Sequence, residues 1–179
     1  MRLKEDDLDY LLLKDGNVIK YHNTDVLEGD IEWLDKNNYD LIDIDTASWN
    51  SNNFHQSIKS SFSFPDYYGE NLNAFADCLS DMKNAKYKGL VIVLRRFDNF
   101  TDLDRVLSES LLDAISSIAR RWVLQGFYLL CLVQSDDPDI TYDKIGGYAP
   151  NWNGVEWFDD DRRNKIIRSS QGGEPPELL

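Results

Sequence analysis

The sequence predicts an α/β fold in which helices pack on a small, mainly parallel sheet. Two continuous apolar runs, residues 89–94 and 127–133, have the length and composition of fully buried strands. Residues 39–46 alternate apolar and acidic side chains, as a half-exposed strand does. Apolar residues at helical spacing fill the intervals between these three segments. Because buried strands joined by helical crossovers pair in parallel, the order strand–helix–helix–strand–helix–strand indicates this fold class.

The first 38 residues predict a β-hairpin followed by a short helix. β-prone runs flank Asp15-Gly16-Asn17, and Asp-Gly between such runs is typical of a hairpin turn over residues 10–21. Thr24 or Asp25 is then expected to cap a helix that ends near Asn37. We interpret this segment as an N-terminal extension of the sheet domain.

Three helices are predicted inside the domain, which we place at residues 39–135. Phe54, Ile58 and Phe62 have helical spacing and define the first helix, over residues 51–61. The second follows Asn71. A third, longer helix is expected over residues 103–125, with Gly126 ending it.

The composition changes after residue 135. Residues 136–168 are rich in turns and aromatic side chains, and we expect those aromatics to pack on the domain. Asp159-Asp160-Asp161 followed by bases has the charge order of a helix start. Residues 169–179 are rich in glycine, proline and glutamate, so we expect a flexible tail.

Composition and charge restrict the class of partner. The chain has 179 residues, 42% of them hydrophobic, and a formal net charge of −13. Nucleic acid and anionic membranes would repel this charge, whereas a basic protein would attract it, although high solubility alone is an alternative reason for it. We expect a cytoplasmic protein with two buried free thiols, Cys78 and Cys131, because no signal-like or membrane-spanning apolar run is present.

Residues 64–82 are the segment most informative about function. Pro65 and Gly69 mark a turn, and Asn71 is the expected N-cap of an amphipathic helix. At about 100° per residue, the side chains divide between two sides of the helix. The apolar side comprises Leu72, Phe75, Ala76, Leu79 and Met82, and the opposite side comprises Glu70, Asn73, Ala74, Asp77 and Asp81. Periodicity alone does not distinguish a binding surface from a solvated helix face.

The residues offer little for catalysis, and we expect neither an enzyme nor a cofactor or metal. His22 and His55 have no visible catalytic partner. Carboxylates beside Cys78 raise a thiol pKa, which opposes use as a nucleophile. Two acidic groups, Asp43 with Asp45 and the aspartates at 159–161, could be read as metal ligands, but a strand face and a helix start explain them better.

One run of residues carries a family resemblance. Tyr67-Tyr68-Gly69-Glu70-Asn71-Leu72-x-Ala74-x-x-Asp77-Cys78-Leu79 closely resembles the signature of the barstar family, intracellular inhibitors of the bacterial ribonuclease barnase. The resemblance extends by element order from about residue 40 to 135, and it implies a three-stranded parallel sheet. It also implies a partner-binding surface with Asp77 at its centre. The flanking contacts are expected to be Tyr67, Gly69, Glu70, Asn71, Asn73, Ala74 and Asp81, while Tyr68 packs in the core.

The sequence departs from the family pattern at three places. The family has an aspartate at the position of Asn73 and a tryptophan at that of Ala76. It also has an acidic contact near the end of the long helix, where this chain reads Arg120-Arg121-Trp122. Asp81 adds a charge. These changes indicate a retained scaffold and a partner surface that differs from that of barnase.

The resemblance implies that this protein binds a cognate basic ribonuclease one-to-one and blocks its active site, as immunity against a toxin. Two alternatives remain open. An immunity protein of the same fold could act on another toxin class, such as a DNase, through residues 1–38 or 146–160. An interaction module with no toxin partner is the other.

Overall fold

The computed structural model describes residues 7–157, and these residues form one parallel sheet with helices on both faces. The strands are β1 (Val18–Tyr21), β2 (Tyr39–Asp45), β3 (Gly89–Arg95), β4 (Tyr128–Gln134) and β5 (Asn151–Trp152). The helices are α1 (Leu8–Leu13), α2 (Thr24–Lys36), α3 (Phe54–Ser61), α4 (Leu72–Asp81), α5 (Phe97–Leu103), α6 (Arg105–Val123) and α7 (Gly154–Trp157). The predicted α/β class is confirmed.

The sheet has five strands in the order β2-β3-β4-β1-β5, so the expectation of three strands was wrong in number. All four pairings are parallel. The three strands expected from the sequence form one side of the sheet. The other two are contributed from outside residues 39–135, by β1 before this range and β5 after it.

The predicted N-terminal hairpin is wrong, because residues 8–13 form a helix and β1 pairs in parallel with β4. A buried polar contact holds α1 in place. The Tyr39 hydroxyl donates to Asp9 Oδ2 at 2.7 Å, and the Lys88 ammonium forms an ion pair with the same carboxylate. Leucine favours helix when tertiary contacts support it. The Asp-Gly turn therefore connects a helix to a strand rather than two strands.

Other helix boundaries also differ from the prediction, and the helix expected from residue 51 begins at Phe54. The helix expected after Thr24 or Asp25 is present, but Asn23 caps it, since Asn23 Oδ1 accepts from Asp25 N at 2.9 Å. The long helix predicted over residues 103–125 is α6, and a separate short helix that was not predicted, α5, precedes it. Asp104 separates them, and its carboxylate caps α6 by accepting from Leu107 N at 3.0 Å. Gly126 follows α6 and has a φ of 72°, the left-handed value typical of a glycine that ends a helix, as predicted.

The core lies in two layers, one on each face of the sheet. On one face, Ile92, Leu94 and Cys131 pack with residues of α3 to α6. On the other face, Val91, Val93 and Leu132 pack with residues of α1 and α2. Alternate residues along β3 therefore serve different layers, as strand geometry requires.

The residues after β4 first pack on α5 and α6, where Tyr142 lies against Phe97 and Gly146 N donates to Asp113 Oδ1, and then cover the β1 edge of the sheet. β5 pairs with β1, and Glu156 accepts hydrogen bonds from His22 N at 2.7 Å and Asn23 N at 3.1 Å. Trp152 is buried, whereas Tyr148 is exposed. The predicted helix start at residues 159–161 and the tail at 169–179 lie outside the described residues. Across residues 7–157, no helix is long and apolar enough to cross a membrane.

Candidate partner-binding surface

The sequence-predicted contact residues are accessible in the structure. Tyr67, Gly69 and Glu70 are exposed on the loop before α4, and Asn73, Asp77 and Asp81 are exposed along that helix. The last three stand four residues apart, so they form one stripe on the helix surface. Ala74 is half-buried, and Asn71 is exposed. We call Tyr67, Glu70, Asn73, Asp77 and Asp81 the acidic surface.

Asn71 sets the start of α4 with both ends of its side-chain amide. Its Oδ1 accepts from Ala74 N at 2.9 Å, which confirms the predicted N-cap. Its Nδ2 donates to the carbonyl oxygen of Gly69 at 2.9 Å. The two hydrogen bonds fix the angle at which the loop enters the helix. The described contacts of this side chain are therefore internal.

The backbone of the loop before α4 is sterically restricted at Gly69 and Glu70. A Cβ added at Gly69 would lie 3.3 Å from the Ala74 Cβ, so this position has little space for a side chain. Glu70 has φ of 48°, in the left-handed region that non-glycine residues rarely occupy. A strained residue persists where its surroundings hold it. No local sequence pattern predicts this conformation, because glutamate rarely adopts the left-handed region.

Adjacent tyrosines have opposite environments. Tyr67 is 80% exposed, whereas Tyr68 is 6% exposed and packs against Phe64. The Tyr68 hydroxyl lies 2.8 Å from His55 Nδ1. Burial raises the pKa of Tyr68 to about 12 and lowers that of His55, so both groups are neutral near neutral pH. Tyr68 thus anchors the loop while Tyr67 stands free for contact.

α4 is fixed on the domain by its apolar side. Phe75 and Leu79 are fully buried. The Phe75 ring meets Phe62 edge-on at a centroid distance of 5.5 Å. This packing makes the helix a rigid support for the side chains on its opposite face.

The carboxylates of the acidic surface differ from two carboxylates of β2 in their ionic contacts within residues 7–157. Glu70, Asp77 and Asp81 form no ion pair with any described residue. By contrast, two aspartates of β2 are ion-paired: Arg95 Nη2 lies 2.7 Å from Asp43 Oδ2, and Arg96 pairs with Asp45. Asp43 and Asp45 are therefore ion-paired residues of one strand face, as expected.

The charge of the acidic surface reaches Cys78. Burial, followed by the negative charges of Asp81 and Asp77, raises the pKa of this thiol. The thiol therefore stays protonated near neutral pH, and its use as a nucleophile is disfavoured. Both cysteines are free; Cys131 is buried as predicted, whereas Cys78 is half-buried.

A basic residue borders the acidic surface on α6. Arg121 Nη2 lies 3.3 Å from Ser80 Oγ, at the C-terminal half of α4. The residues on either side of Arg121 make contacts within the protein: Arg120 donates to the Gly146 carbonyl at 2.9 Å, and Trp122 is buried. The surface is therefore acidic along α4 and basic at one margin.

The remaining candidates for chemistry do not converge. His22 Nδ1 lies 3.0 Å from the Ser135 carbonyl oxygen, a backbone contact at the end of β4. Within residues 7–157, no group of three or more histidine, cysteine or acidic side chains is placed to hold a metal ion. The aspartates at 159–161 lie outside this range.

The family comparison covers the sheet domain and the whole acidic surface. The family model for Barstar, described as barstar (barnase inhibitor), matches residues 39–134. The chain belongs to the barstar family. No curated protein matches it. The matched range begins with β2 and ends with β4, so in this barstar-family protein α1, β1, α2, β5 and α7 lie outside the family match.

Proposed function

We propose that this protein inhibits a basic ribonuclease by placing its acidic surface in the active site of that enzyme. The observation that carries this proposal is a set of three exposed carboxylates with no ionic partner among the described residues: Glu70 on the loop before α4, and Asp77 and Asp81 on that capped helix. A ribonuclease cleft is basic because it holds RNA phosphates. Arginine and lysine of such a cleft would form charge-assisted hydrogen bonds with these carboxylates.

Family membership supports this choice of partner. The family is described as an inhibitor of barnase, and every residue of the acidic surface lies inside the matched range. Opposite net charges also accelerate the encounter of two proteins, which suits an inhibitor that must act before RNA is cut. We further propose a one-to-one complex, toxin immunity as the setting, and a cytoplasmic location consistent with free cysteines.

Each residue has a distinct role in this proposal. Asp77 is the central contact, with Glu70 and Asp81 beside it, and Tyr67 supplies an aromatic contact at the margin. Asn71, Gly69 and Ala74 act by fixing the loop, which the two Asn71 hydrogen bonds support. Arg121 would favour an acidic group on the partner at its own margin, so the partner surface differs there from a purely basic cleft.

The test measures inhibition of a panel of basic bacterial ribonucleases, barnase included, by wild type, Asp77→Ala and Asp102→Ala. Asp102 is exposed on α5, so its variant makes the same charge change away from the acidic surface. We expect Asp77→Ala to weaken inhibition by about 2–5 kcal/mol, the usual cost of removing one partner of a buried charge pair at an interface. The barnase–barstar complex is itself one of the interfaces from which this range comes. Asp102→Ala should change it by less than about 0.5 kcal/mol. Equal effects of the two variants would refute the assignment of the surface.

The alternative of another toxin class has its own signature. With an interface on residues 1–38 or 146–160, Asp77→Ala would inhibit that other toxin as well as the wild type does. Inhibition would instead be lost on changing exposed apolar residues of those segments, such as Leu11 or Tyr148.

A further inference from the structure

A second candidate site lies at the β1–β5 edge of the sheet. An open cavity of about 430 Å³ is present there, a volume within the range of small-molecule sites. Its apolar lining consists of Leu8, Leu11, Leu12, Val18, Ile19 and Trp152, with Val155 at α7. Every lining residue lies outside residues 39–134. The cavity therefore belongs to the part of this chain that the family match does not cover.

Asp30 is one of the residues that line this cavity. Its Oδ2 accepts from the Tyr21 hydroxyl at 2.7 Å and from Asn153 Nδ2 at 2.7 Å. Both donors are neutral, and among the described residues no cation forms an ion pair with Asp30. Partial burial disfavours the charged form and raises the pKa of Asp30. A bound cation would supply the compensation that these neutral donors do not.

The other two charged residues of the lining have opposite charges and lie close together. Lys14 and Asp15 are also in the wall, and Lys14 Nζ lies 4.0 Å from Asp15 Oδ2. Asp30 is then the one uncompensated charge among the described lining residues. The cavity combines an apolar interior with a single negative charge.

We propose that this cavity binds a small organic cation with an apolar body, its ammonium group pairing with Asp30 and its body lying against the leucines of α1. Apolar contact supplies most of the affinity, because burial removes alkyl surface from water. The charge pair selects an amine over an uncharged molecule of the same shape. Binding would also cover Leu11 and Val155, which are 46% and 66% exposed at the cavity.

The test titrates heptylamine into the full-length protein by calorimetry near neutral pH, with heptan-1-ol and ethylamine as matched probes. Each buried methylene contributes about fourfold in affinity, so ethylamine should bind at least about 100-fold more weakly than heptylamine. Heptan-1-ol should bind about tenfold more weakly, because it lacks the charge. Asp30→Asn should lower heptylamine affinity about tenfold and leave heptan-1-ol binding unchanged. Asp15→Asn, which alters the already paired acid, should change heptylamine affinity less than about threefold.

Absence of heptylamine binding, or equal affinity of wild type and Asp30→Asn for it, would overturn the proposal. If Asp30→Asn fails to fold, the wild type still decides the matter through pH. Protonation of Asp30 must weaken heptylamine binding as the pH falls toward about 4, and an unchanged affinity would contradict the site. Ribonuclease inhibition is not part of this readout, so failure here would leave the function of the acidic surface untouched.

Discussion

Asn71 Nδ2 donates to the backbone carbonyl of Gly69, two residues earlier, while its Oδ1 caps α4. One side chain thus joins the loop that carries Tyr67 and Glu70 to the helix that carries Asp77 and Asp81. The geometry of the acidic surface therefore depends on Asn71.

Asn71→Ala should therefore lower the free energy of unfolding by about 0.5–2 kcal/mol, the usual cost of losing an N-cap. Denaturant unfolding measures the effect. Asn73→Ala is the matched control, because Asn73 is exposed on the same helix and does not occupy the cap position. A similar loss in both variants would show that the cap is not the cause.

Glu70→Gly should separate stability from binding. Glycine adopts the left-handed conformation of Glu70 without strain, so the free energy of unfolding should rise by roughly 0.5–1 kcal/mol. Inhibition should weaken, since a carboxylate is lost. Glu70→Ala removes the same charge without relieving the strain and should not gain stability; a gain in this control would contradict the explanation.

Asp9 links α1 to the start of β2 and to Lys88, and it is fully buried. Asp9→Ala leaves the Lys88 ammonium without its carboxylate, so we expect a loss of about 3–5 kcal/mol in stability. Asp15→Ala, which breaks an exposed pair with Lys14, should cost less than about 0.5 kcal/mol. Thermal unfolding of both variants checks this, and a small effect at Asp9 would mean that α1 contributes little to the fold.

His55 should make stability depend on pH. Burial lowers its pKa below the ordinary value of 6.5, so the unfolded chain binds the proton more readily than the folded one. The contribution of His55 is complete above 6.5 and is lost as the pH falls through that value toward the folded pKa. Replacing it in His55→Asn should flatten this part of the stability profile, measured by denaturant unfolding at several pH values. His22→Asn serves as the comparison, and an unchanged slope in His55→Asn would remove His55 as the cause.

Local sequence patterns correctly predicted those elements that residue type and spacing alone determine. The apolar runs of β3 and β4, the cap at Asn71 and the terminating Gly126 each follow from residue type and spacing. The exposure of Tyr67 and the burial of Tyr68 agree with the roles expected for them.

Other features depend on distant contacts that no local pattern records. β1 pairs with β4, more than 100 residues later, and the same Asp-Gly turn is compatible with a hairpin. β5 has two residues, too few for any periodicity. Asp9 meets Tyr39 and Lys88 only through tertiary structure. The cap at Asp104 could have been predicted from the sequence, because an aspartate directly before a helical pattern marks a helix start.

Competition with an active-site ligand would show whether the acidic surface occupies a ribonuclease active site. A mononucleotide that binds the active site would be titrated into the inhibited enzyme, with wild type and Asp77→Ala compared. If the acidic surface fills the active site, the apparent dissociation constant of the wild-type complex rises linearly with mononucleotide concentration, by the factor one plus that concentration divided by the dissociation constant of the mononucleotide. Asp77→Ala should bind the enzyme more weakly even without mononucleotide. A ternary complex of enzyme, inhibitor and mononucleotide would contradict this placement of the acidic surface.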